Sequence, residues 1–396
     1  MNGKKTPSPA GSRRIPGEAP RRIATVLFLA GLIPAVISGQ VPSRLPARID
    51  LNGETERQVV VDREKGRYLG HPTTCLLEDG RTILCVFPKG HGRGAIVYKR
   101  SGDGGLTWSG RLPTPPNWET SLETPTIHRV IGPEGKKRLV LFSGLYPARQ
   151  AVSEDDGLTW SELKPVGDWG GIVVMGSVEG LTAGPGHYLA MFHDDGRFFA
   201  REPARKNPPE MTLFETRSPD GGLTWSFPRE IHRSSEIHLC EPGIVRSPDG
   251  KRLAVLLREN ARRRNSQIMF SDDEGRTWTK PRELPDVLNG DRHTAKYAPD
   301  GRLLISDRVV SPKGKRSLFE GDWAAWVGSY DDLEKGLPGR YYIRLKDNLK
   351  DADCAYPGVE CLPDGTFVLT TYGHWEKDEQ PYILSVRLKL SELVRR

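Results

Sequence analysis

An all-β fold, a six-bladed β-propeller, is what this 396-residue sequence predicts. The first observation is an eight-residue phrase that recurs four times, at Ser101–Trp108, Ser153–Trp160, Ser218–Trp225 and Ser271–Trp278. Every copy keeps Ser, Asp, Gly, Thr and Trp in the same places. Their starts lie 52, 65 and 53 residues apart, the period of a repeat architecture. The second observation is a series of six turn signals, each followed by an apolar run of β-formers, with glycines at 80, 135, 186, 250, 301 and 365. The third is composition: 43 Gly and 32 Pro suit a turn-rich β chain, and helical periodicity is nearly absent.

Each element follows from local chemistry. In the repeated phrase Ser and Asp bond nearby backbone, Gly permits positive φ, and Thr-Trp is expected to start a strand whose indole is buried. The six turn signals predict hairpins leading into strands at 81–87, 136–142, 187–192, 251–257, 302–306 and 366–372. A phrase serine follows each of the first four turns, and a degenerate copy, Ser329-Tyr330-Asp331-Asp332, follows the fifth. Six blades of about four strands fit this count. The sixth blade lacks a phrase, and its strand from Tyr382 is expected to pair with an N-terminal segment to close the ring.

The first 40 residues differ. Lys4, Lys5, Arg13, Arg14, Arg21 and Arg22 precede an apolar run over 23–37, which predicts a signal peptide over 1–40, cleaved near Ser38 or Gly39, with a retained membrane anchor as the alternative. One propeller domain over 41–396, a secreted or periplasmic location and a monomer without stable membrane association follow. That leader carries six Lys/Arg against Glu18, so removing its excess of five from the formal +7 leaves +2. The basic balance is mostly leader, which excludes a nucleic-acid reading. The cluster Arg262-Arg263-Arg264 reads as a solvated loop. Five cysteines show no metal spacing; Cys75 and Cys85 lie on opposite arms of one hairpin, where a pair is conceivable and buried thiols are expected. No cofactor and no metal are expected.

Function should sit where blades converge, at residues flanking the hairpin strands. Blade 1 offers His71, His91 and Arg93; blade 2 Glu123; blade 3 His193 and Asp194. Blade 4 offers Glu241 and Arg258; blade 5 Arg292, His293 and Arg308; blade 6 Tyr356 and His374. With His128 of blade 2 and His238 of blade 4, seven of the nine histidines fall in such windows, and a convergent ring of His, Glu, Arg and Tyr in one concavity is an active-site signature.

The phrase Ser-x-Asp-x-Gly-x-Thr-Trp resembles the Asp-box of the sialidase superfamily, which implies outer-blade turns away from the active site. Two further stretches are similar to that family. In 238–258, Glu241 matches the glutamate that activates the nucleophile, and Arg258 the second arginine of a carboxylate-binding triad. In 353–365, Tyr356 matches the nucleophilic tyrosine. A neutral phenol suits an anomeric carbon that bears a carboxylate. The resemblance departs in blade 1, where Gly70-His71-Pro72 stands for the family's first arginine phrase and the loop 88–95 carries no carboxylate. Arg93, Arg292 or Arg308 would then assist Arg258 in holding a carboxylate, with His71, Glu123, His193, His293 and His374 lining the sugar site. His91, His71, Asp194 or Asp195 would donate the proton. Three functions are compatible: an exo-glycoside hydrolase releasing a terminal acidic sugar such as sialic acid from a glycan, a His/Tyr polysaccharide lyase on uronates, and a non-catalytic carbohydrate-binding propeller.

Overall fold

A computed structural model describes residues 45–198 and 210–393; the expected signal peptide lies outside them. The strands form six sheets in a closed ring, a six-bladed β-propeller. The inner strands, in ring order, are Thr73–Leu76, Thr126–Ile131, Ile172–Gly180, Leu239–Arg246, Gly290–Tyr297 and Gly358–Cys361, and the last packs back against the first. Apolar side chains fill the space between neighbouring blades: Leu84 and Val86 of blade 1, for example, share a core with Ile127, Leu139 and Leu141 of blade 2.

All six glycines of the turns joining the first and second strands have positive φ, from 69° at Gly80 to 88° at Gly186, a conformation other residues adopt only with strain. The ring closes as expected: Gln58–Asp62 pairs antiparallel with Tyr382–Lys389 in blade 6. An unforeseen strand, Ala47–Asp50, adds to blade 5 in parallel with Tyr341–Lys346. Blade 1 has three strands.

The repeated phrase builds one turn four times. In the second copy the Ser153 hydroxyl accepts from Gly157 N (2.9 Å), while Asp155 accepts from the backbone and hydroxyl of Thr159 (2.9 and 2.5 Å). Thr-Trp does not start a strand; after Trp160 and Trp225 the fourth strands begin only at Lys164 and Arg229. Each copy instead clasps the preceding blade. Tyr98 donates to Gly157 O (2.9 Å), Gln150 to Leu223 O (2.9 Å), Arg229 to Gly275 O (2.8 Å), and Arg387 to Gly104 O. The degenerate copy folds differently: Ser329 caps a short helix, Tyr330–Lys335, through a capping box with Asp332. That helix still docks on blade 4, where Arg282 donates to Leu333 O (2.6 Å). Cys75 and Cys85 are free buried thiols.

The clasp predicts a stability effect separable from chemistry. Gly157 has φ +81°, and a Cβ there would lie 2.3 Å from the Tyr98 hydroxyl. Gly157→Ala should cost about 2–3 kcal/mol, more than Asp155→Ala, read as a fall in Tm. The folded fraction of either variant should keep the parent's KM.

Candidate active site at the propeller axis

The clasps and first turns occupy one end of the blades, as the bond from Gly104 N to Arg81 O (2.8 Å) shows. The heads of the inner strands lie at the other end. There, five blades carry a non-glycine residue in the left-handed region: His71 (φ 58°), Val173 (52°), Glu241 (52°), Arg292 (55°) and Ala355 (54°). In blades 3, 4 and 5 these residues coincide with breaks in strand register, at Ile172/Ser177, Cys240/Gly243 and Asp291/Thr294. Such bulges re-aim side chains that regular pleating would alternate in and out. Strain of this kind persists only where surrounding structure enforces it.

The result is a cleft of about 930 Å³, with Tyr356, Glu241, His71, His91, Arg93, Glu123, Lys89 and Arg197 among its lining residues. The Tyr356 hydroxyl donates to Glu241 Oε1, and Arg258 donates to the same oxygen at 2.7 Å. Both Tyr356 and Glu241 are buried. Burial raises the phenol well above its ordinary pKa, with the Glu241 charge adding to it. For Glu241 burial works the other way from its partners, but Arg258 prevails and holds the carboxyl below its usual value. The pair is therefore a neutral phenol bonded to a carboxylate.

Behind it sits Asp291, with a fully buried side chain. Arg262 grips it with two bonds of 2.6 Å, Arg308 donates at 2.6 and 3.1 Å, and Arg258 approaches to 3.4 Å. Burial opposes its ionisation, yet Arg258, Arg308 and Arg262 together hold it far below the ordinary carboxylate range. Arg308 also lies over the Tyr356 ring, 5.5 Å from its centre. Arg262 is thus tied to a buried anion, and the solvated-loop expectation for it is corrected.

A second network supports the other wall. Asp353 accepts from Tyr68 (2.6 Å), His374 (3.0 Å) and Tyr372 (3.3 Å). His71 packs edge-on against Tyr356 at 4.5 Å; its Nδ1 accepts Gly92 N (3.1 Å) and its Nε2 faces the Tyr372 hydroxyl (3.2 Å). Burial, then the nearby His91 and Arg308, keeps His71 neutral. The Tyr68 hydroxyl lies 2.7 Å from His91 Nδ1.

Several expected site residues stand elsewhere. Asp194 is buried and its Oδ2 accepts Gly196 N and Phe198 N of its own loop (3.0 and 3.4 Å), away from the cleft lining. His193 lies beneath, where Nδ1 accepts Glu241 N (3.3 Å), and burial lowers its pKa to about 4. Arg292 and His293 turn into a separate axial cavity of about 230 Å³. His374 reaches the site only through Asp353, and Arg258 and Arg308 back the floor rather than line the cleft. Tyr68 was missed, although it precedes His71 by three positions, and Asp291 and Asp353, polar residues of the blade 5 and blade 6 windows, were given no role. Among the described residues no cluster has metal-ligand geometry.

Comparison with known proteins agrees with the fold. A BNR repeat-like domain matches residues 136–319. No curated protein matches the chain. A Dyadobacter fermentans protein of unknown function is similar at 17% identity and TM-score 0.64, over 84% of this chain and 98% of its own. An α-L-arabinofuranosidase of Fusarium graminearum, solved with an iminosugar inhibitor, is 12% identical at TM-score 0.61, over 85% and 99%. The intramolecular trans-sialidase of Ruminococcus gnavus, in complex with oseltamivir carboxylate, is 14% identical at TM-score 0.57, over 82% and 95%. The chain is an Asp-box propeller of six blades. Within that class its fold is similar to those of a trans-sialidase and an α-L-arabinofuranosidase.

Removing Asp291 would leave Arg258, Arg262 and Arg308 buried without their shared anion. Breaking buried pairs of this kind costs about 3–5 kcal/mol, so Asp291→Ala should lower Tm sharply. Because its pKa is depressed, the contribution of Asp291 is complete above the ordinary carboxylate range and fades as pH falls below it. The gap in Tm between parent and variant should accordingly shrink in acid; a constant gap would contradict the ionic account.

Proposed function

We propose that this chain is an exo-acting glycoside hydrolase that releases a terminal acidic sugar from a glycan, with Tyr356 as nucleophile and Glu241 as its base. The observation that carries the reading is the Tyr356–Glu241 hydrogen bond on the floor of a cationic cleft. As the phenolic oxygen bonds to the anomeric carbon, its proton passes to Glu241, and the bond to the leaving oxygen breaks. Arg258 and Arg308 lie close enough to stabilise negative charge as it develops on the phenol. Lys89, Arg93, His91 and Arg197 line the cleft against two carboxyls, Glu123 and Glu241. Among the described residues Arg93 has no ionic partner, which leaves its guanidinium free to take a sugar carboxylate.

Elimination is less well supported. A lyase needs a histidine base; both nitrogens of His71 are engaged and His193 and His293 do not line the cleft, which leaves His91 as the one histidine of the cleft lining for that role. The leader over 1–40 would export the enzyme, acting as a monomer.

A panel of aryl glycosides of sialic, uronic and related keto-sugar acids, read by released phenol and by absorbance of unsaturated uronates, tests this. Hydrolysis without unsaturated product is expected. Tyr356→Phe and Glu241→Gln should each cost at least about a hundredfold in turnover, and the double variant should be little worse than either alone. Full activity in Tyr356→Phe would overturn the assignment.

A further inference from the structure

The catalytic unit just described supplies a nucleophile and a base but no proton for the departing oxygen. We infer that Glu123, from the loop leading into blade 2, is the proton donor and afterwards the base that activates water; the inference rests on the glycosidase reading.

The geometry singles this residue out. Glu123 and Glu241 are the carboxyls among the described residues lining the cleft, and Glu241 is occupied by Arg258 and Tyr356. Glu123 Oε1 accepts from Thr124 N at 2.8 Å, and the carboxyl makes no ion pair among the described residues. Between it and the nucleophile lie the His71 imidazole and the Gly92 backbone. The His71 ring lies 4.5 Å from that of Tyr356, Gly92 N donates to His71, and a Cβ on Gly92 would stand 3.8 Å from Glu123 Oε1. Glu123 and Tyr356 thus line one cleft, with His71 and the Gly92 backbone between them.

The protonation state agrees. Burial pushes the carboxyl up to about 7, and the Thr124 bond only partly offsets it, so near neutrality it carries a proton to give. The alternative donors are less apt. Tyr68 donates to Asp353, and His91 Nδ1 is held between the Tyr68 hydroxyl (2.7 Å) and Asp353 (3.5 Å). Asp194 does not line the cleft. Glu123 also explains how blade 1 dispenses with a carboxylate: the acid comes from the adjacent blade.

The step balances. Glu123 transfers its proton to the glycosidic oxygen as that bond breaks and Tyr356 bonds to the sugar. The Glu123 carboxylate then takes a proton from water, whose oxygen displaces the tyrosyl group, and Glu241 returns its proton to the departing phenolic oxygen.

Two measurements test this. Glu123→Gln should reduce turnover at least about a hundredfold on an alkyl glycoside but less than about tenfold in the first step on the aryl glycoside, whose leaving group needs no proton. Activity of the parent should fall as pH rises through about 7, and this limb should vanish in Glu123→Gln. Independently of any substrate, carbon NMR of glutamate-labelled protein should show a carboxyl titrating near 7 that is absent from Glu123→Gln. An ordinary titration near 4, or equal losses on both leaving groups, would overturn the proposal. Tyr356→Phe separates the failures: if it keeps full activity, the glycosidase reading itself is at fault.

Discussion

The heart of the molecule depends on one buried anion. Asp291 gathers Arg258 and Arg262 of blade 4 and Arg308 of blade 5 around a single carboxylate. Without it three guanidiniums could not share so dry a space, because desolvated like charges repel with little screening. With it, Arg258 is fixed where it reaches Glu241, and Arg308 where it lies over Tyr356. The orientation of the Tyr356–Glu241 pair is thus inherited from an ion cluster that does not line the cleft.

The two ends of the blades divide the work. At one end the Asp-box turns bind each blade to its predecessor through backbone carbonyls such as Gly157 O and Gly275 O. At the other, left-handed residues at His71, Glu241 and Arg292 bend the inner strand heads so that side chains turn toward the cleft or the cavity beneath it. Rigid anchoring at the first end permits strain at the second. The shared fold accommodates different substrates because the bulged strand heads and loops, rather than the clasps, face the cleft.

Much of this was legible in the sequence. The repeated phrase and the six glycine turns determine blade number, since Gly at positive φ and an Asp closing its own turn are local effects. Tyr356 and Glu241 could be read because each lies in a stretch resembling the sialidase pattern. Arg262 could not, for an arginine run reads as solvated until a buried carboxylate 29 residues away is known to face it. Asp194 and His293 have the same reason for their misplacement. A residue after a strand looks available for chemistry, but whether it points into the cleft, its own loop or the axial cavity depends on bulges that no local signal announces.

The central claim is that Tyr356 forms the covalent bond to the sugar, and trapping measures this most directly. Incubation with activated fluorinated glycosyl fluorides of the sugar acid turned over, followed by peptide mass mapping, should place one glycosyl adduct on the peptide holding Tyr356 and none in the Tyr356→Phe variant. An adduct on Glu241 or Glu123 instead, or an unmodified enzyme that still turns over the parent glycoside with inversion, would contradict it.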